Sequence, residues 1–168
     1  MRLSRKLVIF TVLFSLHQIL SCAQVSFSKL FTDNLVLQRD AKVNVWGFAK
    51  PGENLSVSIA KQVVKTKADA SGKWKIQLAP EKAVSGLQLK VKGKTNEVVL
   101  NNVAFGEVFV ASGQSNMEWR ISQAINNMYE EINNAKYPDI RFVDIRNTIS
   151  FTPLTAVSYT HLTLPTKA

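Results

Sequence analysis

The run Glu107-Val-Phe-Val-Ala-Ser-Gly-Gln-Ser-Asn-Met-Glu-Trp119 decides how the chain is read. Its apolar residues Val108 to Ala111 are continuous rather than alternating, which is the pattern of a short strand covered on both faces. Ser112 and Gly113 break that strand, and a helical pattern starts soon after Ser115. A serine on a tight strand-to-helix turn has an exposed hydroxyl beside N–H groups that lack partners within the helix. Those N–H groups can hold a developing oxyanion, and hydrolases commonly present a nucleophilic serine in this way. The run is not a G-x-S-x-G elbow, because Gly113 lies two residues before Ser115 and Met117 two after. A serine that opens a helix also serves as a plain N-cap, so the turn alone leaves both roles open.

Downstream, Met117, Ile121, Ile125, Met128 and Ile132 recur at spacings of 4, 4, 3 and 4, one stripe of an amphipathic helix. The stripe reads as core, facing a sheet. Glu118 falls in the first turn, where the helix dipole favours it. Trp119 either walls a pocket or simply packs. Tyr137-Pro138 ends the helix, and Ile140 to Ile145 supplies a second apolar strand flanked by Asp139 and Asp144. Strand, helix, strand is one crossover unit of a parallel sheet. It is roughly a quarter to a third of a typical α/β domain.

Upstream the period is two. Leu55, Val57 and Ile59 alternate with Asn54, Ser56 and Ser58, and Trp74, Ile76 and Leu78 alternate with Lys73, Lys75 and Gln77. Leu87, Leu89 and Val91 repeat the pattern, and Val98 with Leu100 closes it. Turn signals separate these runs at Pro51-Gly52, Asp69 to Gly72, Ser85-Gly86 and Gly93. Short alternating strands at that spacing predict an all-β sandwich or jelly-roll-like module over 24–101. Trp46 and Trp74 are expected in its core rather than as sugar platforms.

Gly113-Gln114-Ser115-Asn116-Met117 resembles the first conserved block of the SGNH (GDSL-like) esterases, and more narrowly that of the sialate O-acetylesterase branch. Leu30-Phe-Thr-Asp-Asn-Leu-Val-Leu-Gln-Arg39, with Val45-Trp-Gly47 and Ala49-Lys-Pro-Gly52, looks like the opening of the β-rich module that precedes the hydrolase domain there. The resemblance runs from about Val25 to about Leu154. It implies that 102–156 is the N-terminal, incomplete portion of an α/β SGNH hydrolase domain. Ser115 would be the nucleophile and, through its backbone N–H, an oxyanion donor. Gly113, Gln114 and Asn116 would shape the turn or line the pocket floor. The substrate implied is an acetylated glycan or sialic acid, and no cofactor or metal is called for. The family's histidine and aspartate come from a later Asp-x-x-His segment, and its further oxyanion donors from later blocks. Neither histidine of this chain fits: His17 lies in the apolar N-terminal stretch, and His161 has Ser158 three residues before it. The 168-residue product is therefore expected to be inactive alone.

Charge and termini set the remaining bounds. The net charge is +9, and 13 basic against 6 acidic residues fall within 24–101. Lysines scattered without interleaved aromatics argue against a nucleic-acid site. Met1 to Lys6 is basic and Leu7 to Leu20 apolar, too short for the roughly 20 residues of a membrane span. Residues 1–23 read as a signal peptide, which implies an extracytoplasmic, periplasmic or secreted protein. Cys22, the only cysteine, is either removed by cleavage or carries a lipid anchor. Residues 157–168 show no strand, helix or cap logic and resemble the translation of a sequencing-library adapter, hence a non-native tail. The alternative function is a non-catalytic extracytoplasmic module that binds glycans or serves as structure.

Overall fold

In the computed structural model the described residues are 24–113, 117, 119–120, 126–145 and 159–163, with side chains from 144 onward left aside. The signal-peptide reading, Ile121 and Ile125 of the helical stripe, and Ser115 itself lie outside them. The chain is mostly β. Its elements are β1 (Ser26–Phe27), β2 (Val36–Gln38), β3 (Val43–Phe48), β4 (Asn54–Ile59), β5 (Gln62–Lys67), β6 (Lys73–Leu78), β7 (Val84–Lys92) and β8 (Glu97–Gly106). A short helix α1 (Met128–Asn134) follows, then β9 (Phe142–Ile145) and β10 (Tyr159–Thr163).

The alternating runs become strands because each can put one face in oil and the other in water. Leu55, Val57 and Ile59 are buried on β4, Trp74, Ile76 and Leu78 on β6, and Leu89 and Val91 on β7. Strands β1-β3-β6 form one sheet, and β2-β8-β7-β4-β5 form a second, mixed sheet. Inner residues of both sheets, including Val45 and Trp74 from one and Val57, Leu89 and Phe105 from the other, belong to one hydrophobic cluster. The turn before β6 is built by Asp69, whose Oδ1 accepts from the Ser71 N–H at 2.7 Å and the Lys73 N–H at 3.0 Å.

Two bulges bend the long β7–β8 pair. Leu89 faces Leu100 and Leu87 faces Val103, so one extra residue sits at Asn101-Asn102. Val84 faces Phe105, so a compensating extra residue sits near Gly86. Asn102 has φ 54° and Gly86 φ 73°, the left-handed geometry that bulges use. The Asn102 bulge is where β8 crosses the boundary expected at Asn101 and runs on to Gly106.

Several expectations are corrected. Trp74 is core, but Trp46 is 37% exposed. The strand pleat is the reason: Val45 and Gly47 point inward, so Trp46 and Phe48 must point out. Trp46 then meets Phe31 edge-on, with centroids 4.8 Å apart.

Val108 to Ala111 is not a buried strand. Phe109 is 86% and Val110 90% exposed. A continuous apolar run becomes a strand only when partners flank and cover it, and no described strand pairs with it. Likewise α1 covers only the end of the expected stripe, and none of its residues is buried. The second apolar strand exists as β9, but its partner is β10, antiparallel, with Val143 opposite Leu162. A parallel crossover from residues 108–111 is therefore not what the described residues form. The segment 157–168, read as lacking strand logic, contributes β10 because β9 offers it an unpaired backbone edge.

Candidate active site and its mounting

The candidate nucleophile is approached from β8. Strand β2 lies parallel to the last turn-out of β8, with Val36 opposite Ala104 and Gln38 opposite Gly106. Both chains leave the sheet together, and three side chains lock that exit. Arg39 Nε donates to Glu107 Oε1 at 2.7 Å, and Gln38 Nε2 donates to Glu107 Oε2 at 3.0 Å. Gln38 Oε1 in turn accepts from the Val108 N–H at 2.9 Å, and the Arg39 N–H donates to the Gly106 carbonyl. Glu107 thus has both carboxylate oxygens engaged, six residues before Gly113.

The electrostatics follow from these contacts. Hydrogen bonds from Gln38 and then Arg39 hold the Glu107 carboxyl below its ordinary range, and the bonded Glu107 pushes the Arg39 guanidinium up. Arg39 also lies 3.6 Å from Asp40, whose carboxyl is lowered first by the hydrogen bond from Lys82 at 2.7 Å.

Beyond the clamp, residues 108–113 are exposed. Gly113 and Met117 approach closely: a Cβ on residue 113 would lie 2.7 Å from Met117 Cγ. The residues bracketing Ser115 therefore lie side by side. Gln114, Ser115 and Asn116 are outside the described residues. Trp119, for which wall and packing roles were both open, is 60% exposed.

A second mount joins the later segment to the β module. Arg141 Nη1 donates to the Asn102 carbonyl at 2.6 Å and the Asn34 carbonyl at 3.3 Å, and Nη2 reaches Asn102 Oδ1 at 3.2 Å. Asn34 and Asn102 are both left-handed, with φ of 64° and 54°, and bond each other through side chains at 2.8 Å. Sequence reasoning missed Arg141. The signal was there in part: Asn34 sits within the quoted 30–39 stretch, and Asn101-Asn102 interrupts an alternating strand.

Among the described residues no group of three or more His, Cys, Asp or Glu is placed to hold a metal ion. No described helix is long and apolar enough to cross a membrane.

The mostly β fold is similar to that of a carbohydrate acetylesterase from Xanthomonas citri. The crystal structure of that enzyme matches with a TM-score of 0.80 and 30% identity, covering 84% of this chain and 33% of that one. Curated relatives agree. The sialate O-acetylesterases of Homo sapiens and Pongo abelii are each 29% identical, over 71% and 73% of this chain and 25% of theirs. The mouse enzyme is 29% identical over 71% of this chain. No family model matches the sequence. The chain is similar to sialate O-acetylesterases, and it spans about a quarter of the length of the curated relatives it matches.

Proposed function

We propose that the chain is the leading part of an extracytoplasmic serine esterase that removes O-acetyl groups from sialic acids or related glycans. The observation that carries this is the match to the Xanthomonas citri acetylesterase, which includes identity as well as fold over most of the chain. The two-sheet β module is a sandwich of jelly-roll-like kind, and residues 102–156 begin an SGNH hydrolase domain. Residues 1–23 direct export, and Cys22 is removed or lipidated.

In this reading Ser115 Oγ attacks the acetyl carbonyl and forms an acyl-enzyme, releasing the sugar hydroxyl. The Ser115 N–H donates to the tetrahedral oxyanion, a contribution of roughly 10²–10³ in rate. A histidine must take the serine proton, and an aspartate must orient that imidazole. These 168 residues hold no Asp-x-x-His segment, so the base comes from outside them and the chain alone releases no acetate. The Arg39–Glu107 clamp fixes the base of the serine-bearing segment against the β module.

The test is acetate release from O-acetylated sialoglycans by the full-length enzyme encoded with this segment. Ser115→Ala is expected to lower kcat by roughly 10⁴-fold or more, in line with loss of other serine nucleophiles. Unchanged activity would remove Ser115 from the mechanism.

A further inference from the structure

The outer face of the five-stranded sheet carries a charge pattern that strand protection does not explain. Cross-strand register puts Lys65 and Lys92 on either side of Ser56, Lys67 beside Asn54, and Lys90 beside Ser58. Leu55, Val57 and Ile59 take the opposite, buried face. All four lysines thus share one surface. Neighbouring strands lie about 4.8 Å apart and alternate residues about 7 Å, so the ammonium stems rise from a lattice of roughly 7 by 10 Å.

Lysines on an edge strand block unwanted pairing, which accounts for Lys65 and Lys67 on β5. It does not account for Lys90 and Lys92, because β7 is paired on both sides, to β4 and β8. Cross-strand lysines usually face carboxylates. Here the residues between them are Asn54, Ser56 and Ser58, and the one acidic residue of strands β4, β5, β7 and β8, Glu97, lies opposite Lys92 on β8 without forming an ion pair. None of the four lysines has an ion-pair partner among the described residues. An open groove of about 360 Å³ crosses this face, lined among others by Asn54, Ser56, Lys65, Lys92 and Gly93.

We infer that this face is a binding site for a carboxylated polysaccharide, with Lys65, Lys67, Lys90 and Lys92 meeting its carboxylates. Asn54, Ser56 and Ser58 offer amide and hydroxyl partners to sugar hydroxyls between the charges. The strands here contribute no aromatic side chain on which a nucleic-acid base could stack. The choice of a carboxylated sugar rests on the sialoglycan reading above, whereas the cationic lattice does not. Holding the polymer here tethers it to the chain that carries Ser115.

The probe is polysialic acid, titrated against the 168-residue chain by affinity electrophoresis at physiological ionic strength. Neutral dextran, duplex DNA and phosphatidylserine vesicles run beside it. The expected result is retardation by polysialic acid alone, weakened about tenfold in Lys65→Gln/Lys92→Gln. Lys42→Gln/Lys50→Gln removes the same charge at the two ends of β3 and should stay within about twofold. Equal weakening in both double variants would reduce the effect to net charge and overturn the site. So would no retardation, or DNA or vesicles binding as tightly through the same lysines. The readout involves no acetyl chemistry, so a failed Ser115 test leaves it standing, and its own failure leaves the esterase reading standing.

Discussion

Glu107 and Arg39 meet at 2.7 Å where two parallel strands leave the sheet side by side, 68 residues apart in sequence. Gln38 completes the arrangement by giving one amide hydrogen to Glu107 and taking one from Val108. The contact is half-exposed, so its role is local: it sets where the serine-bearing segment begins rather than how stable the module is.

That role predicts a local response. Glu107→Ala is expected to speed hydrogen exchange at the Val108 amide several-fold while the midpoint of urea unfolding barely moves. The same amide should respond to pH. Folding depresses the Glu107 pKa, so the clamp is complete above the ordinary glutamate value of about 4.3 and is lost as pH falls through the lower folded value. Exchange at Val108 that keeps its protection down to the bottom of that window would remove the carboxylate from the clamp.

Gly47 and Gly86 separate two reasons for glycine. A Cβ at residue 47 would sit 2.7 Å from Trp74 Cζ2 and 2.9 Å from Phe27 Cα, and would collide with the Ser26 carbonyl. Two of those neighbours are backbone and cannot give way. Gly47→Ala should therefore destabilise by about 3 kcal/mol, the upper end of overpacking costs. Gly86 has open space around it but φ 73°, so Gly86→Ala should cost only about 1 kcal/mol of left-handed strain. Chemical denaturation of the two variants checks the order, and a reversed order would contradict the packing beneath Trp74.

Among the described residues, Arg141 makes a contact that joins the later segment to the β module. Its planar fork serves three acceptors on Asn34 and Asn102, a geometry that an ammonium cannot reproduce. Arg141→Lys and Arg141→Ala are both expected to cost about 1–2 kcal/mol, allowing for partial exposure. A double-mutant cycle with Asn102→Ala should show coupling of at least about 0.5 kcal/mol. Additive effects would mean that the contact carries no energy.

How far the sequence could be read depended on what each segment packs against. The alternating runs of β4, β6 and β7 were legible because period two states both the element and its buried face. The same rule applied to β3 would have sent Trp46 outward, but residue type argued for the core and the pleat won. Strands β1 and β2 are only two and three residues long, too short for any period to show. The Gln38–Glu107 and Asn34–Arg141 contacts are long-range pairings of ordinary polar residues, which composition and spacing do not mark. Ser115, which lies outside the described residues, was singled out only through its flanking residues, Gly113 to Met117.

Val108 to Ala111 gives the sharpest case of context over pattern. Four consecutive apolar residues read as a strand buried on both faces, yet Phe109 and Val110 are 86% and 90% exposed. Burial is a property of what surrounds a segment, and among the described residues the packed sheet ends near Glu107. In this 168-residue chain Val110→Asp is therefore expected to shift unfolding by no more than about 0.5 kcal/mol, as surface substitutions do. In the longer relatives' architecture the same position would need cover for its apolar surface, and an uncompensated buried carboxylate there would cost several kcal/mol. Introducing the change in both the short chain and the full-length enzyme, and measuring each by denaturant titration, tests this directly. A large loss in the short chain would mean that Val110 is already packed, and the strand expected from sequence would be restored.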